Sequence, residues 1–344
     1  MADQKKMRVV QVGVGGFGGY RRARMRECGL FELVAAHDWN ADNLSKAVVE
    51  EGCKPAASYD DLLATPGIEA VIISTGGKFH AEQMIKAAER GLHVFVEKPM
   101  CSTMDELREI IAMQKQTGVV MGVGHGDHSH EATSLMIKGM IDRGELGKIA
   151  TFEKTTAHSG GQLIKPGDWR GDPEKNPGGM LFQCGVHALH ELMFYFGPVS
   201  EISCMMRYDV HTTLTADVAC CIVKFESGVL GTLNAYHVTP YRHTMSIFGT
   251  KSNIYEEALF FDEGTKLWMQ TTHLDNKKEP RVPLQVTGES DICGNLRSFY
   301  AAVRGTGPRM PYPSHIDGAR AVAAVFAAEE SAKKGGAAVK IEKI

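Results

Sequence analysis

The first third of the chain alternates short apolar stretches with amphipathic segments. The apolar stretches lie at 7–12, 31–37, 69–74, 92–97 and 119–123, and helical spacing is found at 17–28, 80–90 and 103–116. Strands and helices that alternate in this way are typical of a parallel sheet with helices on both faces. The pattern therefore predicts an α/β domain at residues 1–124, built on a doubly wound parallel sheet.

Beyond Lys148 the pattern changes, because strand-like segments follow one another with few helices between them. These segments lie near 149–156, 199–209, 216–225, 229–237 and 243–249. One predicted helix, 132–143, precedes them, and the others lie at 185–196, 292–303 and 316–333. Successive strands without crossover helices favour antiparallel pairing. We therefore predict a second, α+β domain at residues 125–344 with a mainly antiparallel sheet.

A glycine-rich turn follows the first predicted strand and reads Gly13-Val14-Gly15-Gly16-Phe17-Gly18. Gly13 allows a tight turn, Gly15 lets the main chain approach a phosphate, and Gly18 lets the next helix pack closely. The amino end of that helix favours anionic groups. The whole turn, with Gly16 and Phe17, is therefore predicted to bind the pyrophosphate of a dinucleotide.

The second predicted strand ends at Asp38, twenty residues after Gly18. A carboxylate at this distance is expected to bond the adenosine ribose of NAD and to repel the additional phosphate of NADP. The alternative is that Asp38 caps the next helix together with Asn40. Further cofactor contacts are predicted near the carboxyl ends of later strands, where an open α/β sheet binds its ligands: Ser74, Thr75, His80, Glu97 and Lys98.

Composition narrows the class of protein. The chain has 344 residues, and 38 basic against 41 acidic residues give a net charge of −3, so we expect two domains and no nucleic-acid partner. No apolar run approaches the roughly 20 residues of a membrane helix, and the first strand begins too early to leave room for a signal peptide. The eight cysteines are scattered, which is typical of a reduced compartment. We therefore expect a cytoplasmic protein without a membrane partner.

The order and spacing of several motifs resemble those of the Gfo/Idh/MocA family of NAD(P)-dependent sugar and polyol oxidoreductases. The resemblance covers nearly the whole chain, and its motifs are the Gly13–Gly18 turn, Glu97-Lys98-Pro99, 144–149, 168–170, 178–181, the helix around His187 and 317–320. It implies an amino-terminal Rossmann domain, an open-faced antiparallel sheet in the second domain, and NAD as cofactor. It also implies that Lys98 contacts the reacting hydroxyl, that the Lys98–Pro99 peptide is cis, and that the sheet forms a homodimer or homotetramer.

The second family motif is altered in this chain. Relatives carry Asp-x-Gly-x-His-x-x-Asp, whereas this chain has Gln183 at the first aspartate, His187 at the histidine and His190 at the second aspartate. On an α-helix these three positions share one face, and the resemblance implies a catalytic role for them. We expect His187 to act as general base, since its ordinary pKa lies near neutral pH. Gln183 is expected to bond a substrate hydroxyl and His190 to lie beside them; the alternative is that both histidines are structural.

A polar cluster after the fifth predicted strand contains His125, Asp127 and His128, with His130 close behind. Zinc or manganese could bind such side chains, but their spacing matches no standard metal motif. We therefore predict that they hydrogen-bond a polyhydroxylated substrate and that the protein has no metal site.

Trp169 and Arg170 lie in a segment that the resemblance brings to the cleft. Trp169 is predicted to stack on a sugar face, and Arg170 is predicted to clamp an anionic group or the nicotinamide side. The alternative places Trp169 in the core and leaves Arg170 to cap a helix or to pair with an acid.

Together these features predict an NAD-dependent dehydrogenase that acts on a secondary hydroxyl of a sugar, an inositol or a related polyol. Two alternatives stay open. In the first, NAD oxidises the substrate transiently and elimination cleaves a glycosidic bond, as in a redox glycosidase or lyase. In the second, the protein binds a cofactor without catalysis.

Overall fold

The computed structural model describes residues 5–126, 128–176, 178–258, 264–272 and 279–344. In these ranges the chain forms two compact units. The first contains the residues up to 126 together with 291–319, and the second contains 128–290 and 320–344. The sequence-based division assigned 291–319 to the second domain, whereas the structure places this segment in the first unit.

The first unit is built on a six-stranded parallel sheet. Its strands are β1 (Met7–Val12), β2 (Phe31–His37), β3 (Lys54–Pro55), β4 (Ala70–Ile73), β5 (His93–Glu97) and β6 (Met121–Gly124). The helices among them are α1 (Phe17–Cys28), α2 (Ala41–Glu51), α3 (Tyr59–Leu63), α4 (His80–Glu89) and α5 (Met104–Thr117). The strands pair in the order β3-β2-β1-β4-β5-β6, which reverses direction between β1 and β4. The predicted doubly wound sheet is confirmed, and its switch point is where such sheets bind ligands.

The second unit is built on a sheet of nine described strands. They are β7 (Ile149–Ala157), β8 (Val199–Arg207), β9 (Val218–Phe225), β10 (Leu230–Tyr236), β11 (Arg242–Gly249), β12 (Ser252–Ala258), β13 (Thr265–Thr271), β14 (Val282–Leu284) and β15 (Val339–Lys340). Their order is β14-β13-β12-β11-β7-β10-β9-β8-β15, and only β7 and β10 pair in parallel among them. The predicted mainly antiparallel sheet is confirmed. The helices beside it are α6 (Ala132–Asp142), α7 (Val186–Phe196) and α9 (His315–Lys333).

Helix α8 (Gly294–Arg304) explains why 291–319 belongs to the first unit. Its buried side chains join the apolar core around β1 and β5. The ring of Phe299 lies edge-on to that of Phe95, with 5.6 Å between the centroids, and Tyr300 meets Phe31 at 6.1 Å. This apolar face is covered only when the segment folds back onto the first sheet.

The two faces of the nine-stranded sheet differ in character. On the inner face the ring of Phe196 from α7 lies 5.3 Å from Phe152 and 5.4 Å from Phe225, measured between centroids. The outer face holds a cavity of about 460 Å³ over the central strands. Its lining is largely polar, with Glu153, Thr155, Thr232, Asn234, Arg242, Thr244, Ser246 and Glu257 among its residues. Apolar side chains are exposed on the strands beside it, where Met205 is 69% and Ile222 is 53% exposed.

Within the described residues, no helix combines the length and the apolar character that crossing a membrane would need.

Candidate active site

The glycine turn of the first unit leaves no room for side chains at two positions. Gly13 has φ of 78°, and a Cβ atom there would lie 2.6 Å from the carbonyl of Ser74. A Cβ atom at Gly18 would lie 2.2 Å from the carbonyl oxygen of Gly13. Helix α1 therefore begins directly against β1, with Gly16 as its N-cap. Its first N–H groups form the kind of amino terminus that binds an anion.

Asp38 holds this turn through its carboxylate. Oδ2 accepts hydrogen bonds from the main-chain N–H of Val14 at 2.8 Å and of Gly15 at 3.1 Å. Oδ1 accepts from the N–H of Asn40 at 2.9 Å. The cap of α2 is Asn40 itself, whose side chain accepts from Asp42 and Asn43. The structure therefore assigns helix capping to Asn40 and places Asp38 at the glycine turn.

Two further side chains that sequence reasoning missed support the same turn. Gln11 is completely buried, and its Nε2 donates to the carbonyls of Gly13 and Gly18, each at 3.1 Å. Arg22 donates to the carbonyl of Val14 and pairs with Glu50 and Glu51 of α2. The available signal was a lone glutamine inside the apolar run of β1, since a buried amide must find partners.

Three predicted cofactor contacts have protein partners at the ends of the strands. The ring of buried His80 lies between two main-chain carbonyls, with Nδ1 2.7 Å from Pro99 and Nε2 2.9 Å from Thr75. Burial lowers the pKa of His80, although these two contacts oppose the shift. Thr75 donates through Oγ1 to Gln83 at 2.6 Å, and Ser74 receives a 3.4 Å contact from Gln11. Their side chains thus fasten the loops that follow β4 and β5.

Strand β5 ends in the Glu97-Lys98-Pro99 motif, and the Lys98–Pro99 peptide is cis. Glu97 forms a 2.6 Å ion pair with Arg21, and both side chains are buried. The guanidinium of Arg21 also lies 4.8 Å from the centroid of the Phe95 ring. Glu97, predicted as a cofactor contact, is therefore an anchor between β5 and α1, while half-buried Lys98 follows it at the carboxyl edge of the sheet.

His125 lies directly after β6 and is buried. Its carbonyl accepts a 2.8 Å hydrogen bond from the side-chain amide of Asn295 in the first turn of α8. Asp127 lies outside the described residues. Among the residues that are described, no three His, Cys, Asp or Glu side chains are arranged to hold a metal ion.

In the second unit the altered motif begins in a π-helical turn at Leu181–Gly185, and α7 starts only at Val186. Gln183 therefore precedes the regular α-helix that carries His187 and His190, and it lies in a turn that is wider than an α turn. Gln183 donates from Nε2 to Oδ1 of Asn176 at 2.8 Å. Gln183 and His187 are half-buried, and His190 is buried.

His190 lies beside His128, and the centroids of the two rings are 6.4 Å apart. Burial and the neighbouring His128 lower the pKa of His190 to about 3, so its ring is neutral at physiological pH. Burial alone would lower the pKa of His128, but the carboxylates of Glu191 and Glu131 outweigh it and raise that pKa. His190 therefore cannot exchange a proton near neutrality as an ordinary histidine does.

A buried charge cluster lies below α7, and sequence reasoning did not find it. Lys154 of β7 forms a 2.6 Å ion pair with Glu191 of α7. Glu256 of β12 lies close by, and burial raises its pKa to about 7 although Lys154 opposes the shift. A buried pair of this kind is costly to break, so it fixes α7, and with it His187, on the inner face of the sheet.

The segment with Trp169 and Arg170 forms a short turn that is capped by Asp168, which accepts from the N–H of Arg170 at 3.0 Å. The exposed guanidinium of Arg170 pairs with the Asp168 carboxylate at 3.3 Å and lies 4.9 Å from the centroid of the Trp169 ring. The alternative in which Arg170 pairs with an acid is thus the arrangement found. The main-chain carbonyl of Arg170 accepts hydrogen bonds from the side chains of Asn176 at 2.7 Å and Thr215 at 3.1 Å.

Two family models match the chain. Residues 7–125 match the model for an oxidoreductase family with an NAD-binding Rossmann fold, the amino-terminal domain of GFO/IDH/MocA proteins. Residues 135–255 match the model for the GFO/IDH/MocA C-terminal domain. One match lies in each unit, and together they cover well over half of the sequence.

Curated relatives and solved structures extend these matches. A scyllo-inositol 2-dehydrogenase (NAD(+)) of Bacillus subtilis (strain 168) is 28% identical over 288 residues, which are 80% of this chain and 78% of the relative. A 1,5-anhydro-D-fructose reductase of Ensifer adhaerens is 25% identical over 316 residues, 89% of this chain and 90% of the relative. The crystal structure of an oxidoreductase from Desulfitobacterium hafniense DCB-2, assigned as NADPH-dependent, has a TM-score of 0.89 at 25% identity and covers 98% of both chains.

Proposed function

The chain belongs to the GFO/IDH/MocA family of oxidoreductases with an NAD-binding Rossmann domain, and we propose that it oxidises a secondary hydroxyl of a sugar, an inositol or a related polyol. Bound NAD would supply the hydride acceptor at its nicotinamide C4. The enzyme is thus a dehydrogenase that acts on CH–OH groups. The names of the Bacillus and Ensifer relatives, one an inositol dehydrogenase and one an anhydrosugar reductase, support cyclic polyhydroxylated substrates.

The observation that carries this proposal is the position of Lys98. It follows β5 at the carboxyl edge of the sheet whose β1 leads into the Gly13–Gly18 turn, and β5 is separated from β1 only by β4. A cation at this edge stabilises the negative charge that develops on the hydroxyl oxygen while its carbon is oxidised. Lys98 is therefore assigned the role of stabilising this negative charge on the substrate oxygen.

His187 is assigned the role of general base that takes the hydroxyl proton. The chain has no aspartate at positions 183 and 190, so neither supplies an anion that would stabilise the imidazolium. Gln183 is assigned a hydrogen bond to a substrate hydroxyl, and His125, His128, Trp169 and Arg170 are further proposed substrate contacts. His190 is neutral because of its lowered pKa. It is therefore assigned no proton transfer, and its role is to support His187 on the same helix.

The cofactor is held at the Gly13–Gly18 turn, where the amino end of helix α1 receives the pyrophosphate. Asp38 is assigned a second partner besides the turn, the 2′-hydroxyl of the adenosine ribose. Because the additional phosphate of NADP would meet the Asp38 carboxylate, NAD is the preferred form.

We expect Asp38→Asn to raise the affinity for NADP relative to NAD by at least about tenfold. The amide oxygen of asparagine can still accept from Val14 and Gly15, so the turn keeps these two bonds, while the charge and the bond from the N–H of Asn40 are lost. Asp38→Ser combined with Trp39→Arg should go further, since arginine adds a phosphate partner. Fluorescence titration with both cofactors measures the ratio, and Asp42→Asn on the exposed start of α2 is the matched control. Tighter binding of NADP by the unaltered protein would contradict the role of Asp38.

The substrate class is tested with a panel of inositols, anhydrosugars, free sugars and glycosides, each incubated with NAD. Absorbance of NADH and analysis of the products are followed together. Net NADH formation with a cyclic polyol or sugar is the expected result. Cleavage of a glycoside without net NADH would replace the proposal by transient oxidation and elimination, and cofactor binding without turnover of any compound would overturn it.

Lys98 and His187 should respond differently to pH when they are replaced. Lys98→Ala is expected to lower turnover by about two to four orders of magnitude at every pH, because a fixed cation is lost. His187→Ala should cost a similar factor at neutral pH, but less as pH rises, because hydroxide can replace a base. Rate profiles between mildly acidic and alkaline pH measure this, with Lys86→Ala on α4 as control. Near-normal turnover in His187→Ala would exclude it as the base.

We propose further that the enzyme assembles as a homodimer or homotetramer through the outer face of the second sheet and works in the cytoplasm. The exposed apolar side chains of Met205, Ile222 and Leu230 support an interface on this face, and the polar cavity beside them suits a hydrated contact.

Light scattering at micromolar concentration should show an assembly of two or four chains. Ile222→Glu should lower the measured molecular mass, whereas Val49→Glu, at a more exposed position of the first unit, should not. A monomeric unaltered protein would rule this surface out.

A further inference from the structure

We propose that Asn176 is a positioning residue, which fixes the side-chain amide of Gln183 so that its carbonyl oxygen Oε1 serves the substrate as a hydrogen-bond acceptor. The substrate group recognised there is consequently a hydroxyl that donates its proton. This inference deepens the proposed function and rests on the assignment of Gln183 to the substrate site.

The orientation of both amides follows from one main-chain carbonyl. The oxygen of Arg170 can only accept, so the group of Asn176 that lies 2.7 Å from it must be the NH2 group. The other end of Asn176 is then its oxygen Oδ1, which also can only accept. The group of Gln183 at 2.8 Å from Oδ1 must therefore be its NH2 group, and Oε1 is the opposite end of that amide.

The reversed arrangement is excluded by contacts between acceptors. If Gln183 alone turned over, its Oε1 would face Oδ1 of Asn176. If Asn176 turned over as well, its Oδ1 would face the carbonyl of Arg170. Each arrangement leaves two oxygens in contact without a proton between them, and buried acceptors in that position are strongly unfavourable.

The surroundings keep this chain of hydrogen bonds in place. Asn176 is completely buried and Thr215 is 2% exposed, so water does not readily replace either donor to the Arg170 carbonyl. The N–H of Gly179 donates to the carbonyl of Asn176 at 3.2 Å, and the N–H of Gln183 donates to the carbonyl of Gly179 at 3.1 Å. Both the main chain and the side chain of Gln183 are thus tied to the segment that holds Asn176.

This arrangement explains what the change from aspartate to glutamine at position 183 does to the site. A carboxylate at position 183, as in the motif of relatives, accepts hydrogen bonds and carries a charge. Gln183 held by Asn176 retains the acceptor and lacks the charge, and it does not titrate. The site therefore keeps its recognition of a donating hydroxyl while it loses an anion next to His187.

The orientation itself is tested without any substrate. Protein labelled with [15N]glutamine gives a side-chain NH2 signal for Gln183, which Gln183→Ala identifies by its disappearance. The signal should exchange slowly with solvent in the unaltered enzyme and at least about tenfold faster in Asn176→Leu. Fast exchange in the unaltered, folded enzyme would overturn the inference, whatever the enzyme's activity.

The functional consequence is tested with the substrate that the panel identifies. Asn176→Leu should raise KM about tenfold with less than about a threefold change in kcat, and it should add no further increase in a Gln183→Ala background. Thr215→Val, which removes the other donor to the same carbonyl, should leave KM within about twofold. An equal increase in KM with and without Gln183 would show that Asn176 acts only on the fold and would overturn the inference.

A second measurement uses the unaltered enzyme. Methyl ethers of the substrate, made one hydroxyl at a time, should include one whose KM rises at least about tenfold, because an ether oxygen cannot donate to Oε1. Gln183→Ala should reduce the penalty for that same ether. Equal tolerance of every ether would contradict the inference, while slow NH2 exchange combined with no sugar turnover would leave the geometry intact and refute the proposed function.

Discussion

The carboxyl edge of the parallel sheet depends on hydrogen bonds from buried side chains to the main chain. A turn that approaches a phosphate closely cannot carry its own large side chains, so its carbonyl and N–H groups need partners from elsewhere. Three side chains from different elements bond to this turn. Gln11 belongs to β1, Asp38 follows the end of β2, and Arg22 belongs to α1. His80 ties together the loops after β4 and β5 in the same way. The edge is therefore shaped before any ligand arrives, which lowers the cost of reorganisation when a ligand binds.

The order of elements in the first sheet could be predicted from the sequence because each strand is a short apolar run that ends at a turn residue. The position of α8 could not be predicted in this way. Its apolar face indicates that it is buried, but periodicity does not say against which partner. The chain also forms β7 to β14 of the second sheet before α8 returns to β1 and β5. The polar outer face of the second sheet was missed for a related reason. Threonine, serine and asparagine suit a strand equally well whether the neighbouring surface is water or protein.

For the candidate site, residue types were predictable and their partners were not. The glycine turn and Lys98 lie where the spacing and the resemblance indicate. Glu97 instead meets Arg21, which is far from it in sequence, and Gln183 lies in a π turn that a helical wheel cannot anticipate. The role of a polar side chain is decided by what is buried beside it, and burial depends on segments that meet only in the folded chain. The acidic and basic groups below α7, Lys154, Glu191 and Glu256, show this most clearly, because none belongs to a recognisable motif.

The return of residues 291–319 to the first unit has a consequence for how the protein is made. On the ribosome, the six parallel strands emerge first, yet the apolar surface around Phe95 and Phe31 stays uncovered until α8 has been translated. During that interval the eight described strands from β7 to β14 leave the exit tunnel, and only β15 of the described sheet follows α8. The nascent nucleotide-binding unit therefore waits with an open hydrophobic side, a state in which chaperones bind and premature association occurs. A fragment cut at the apparent domain boundary would remain in that state permanently, so this Rossmann domain is not a portable module.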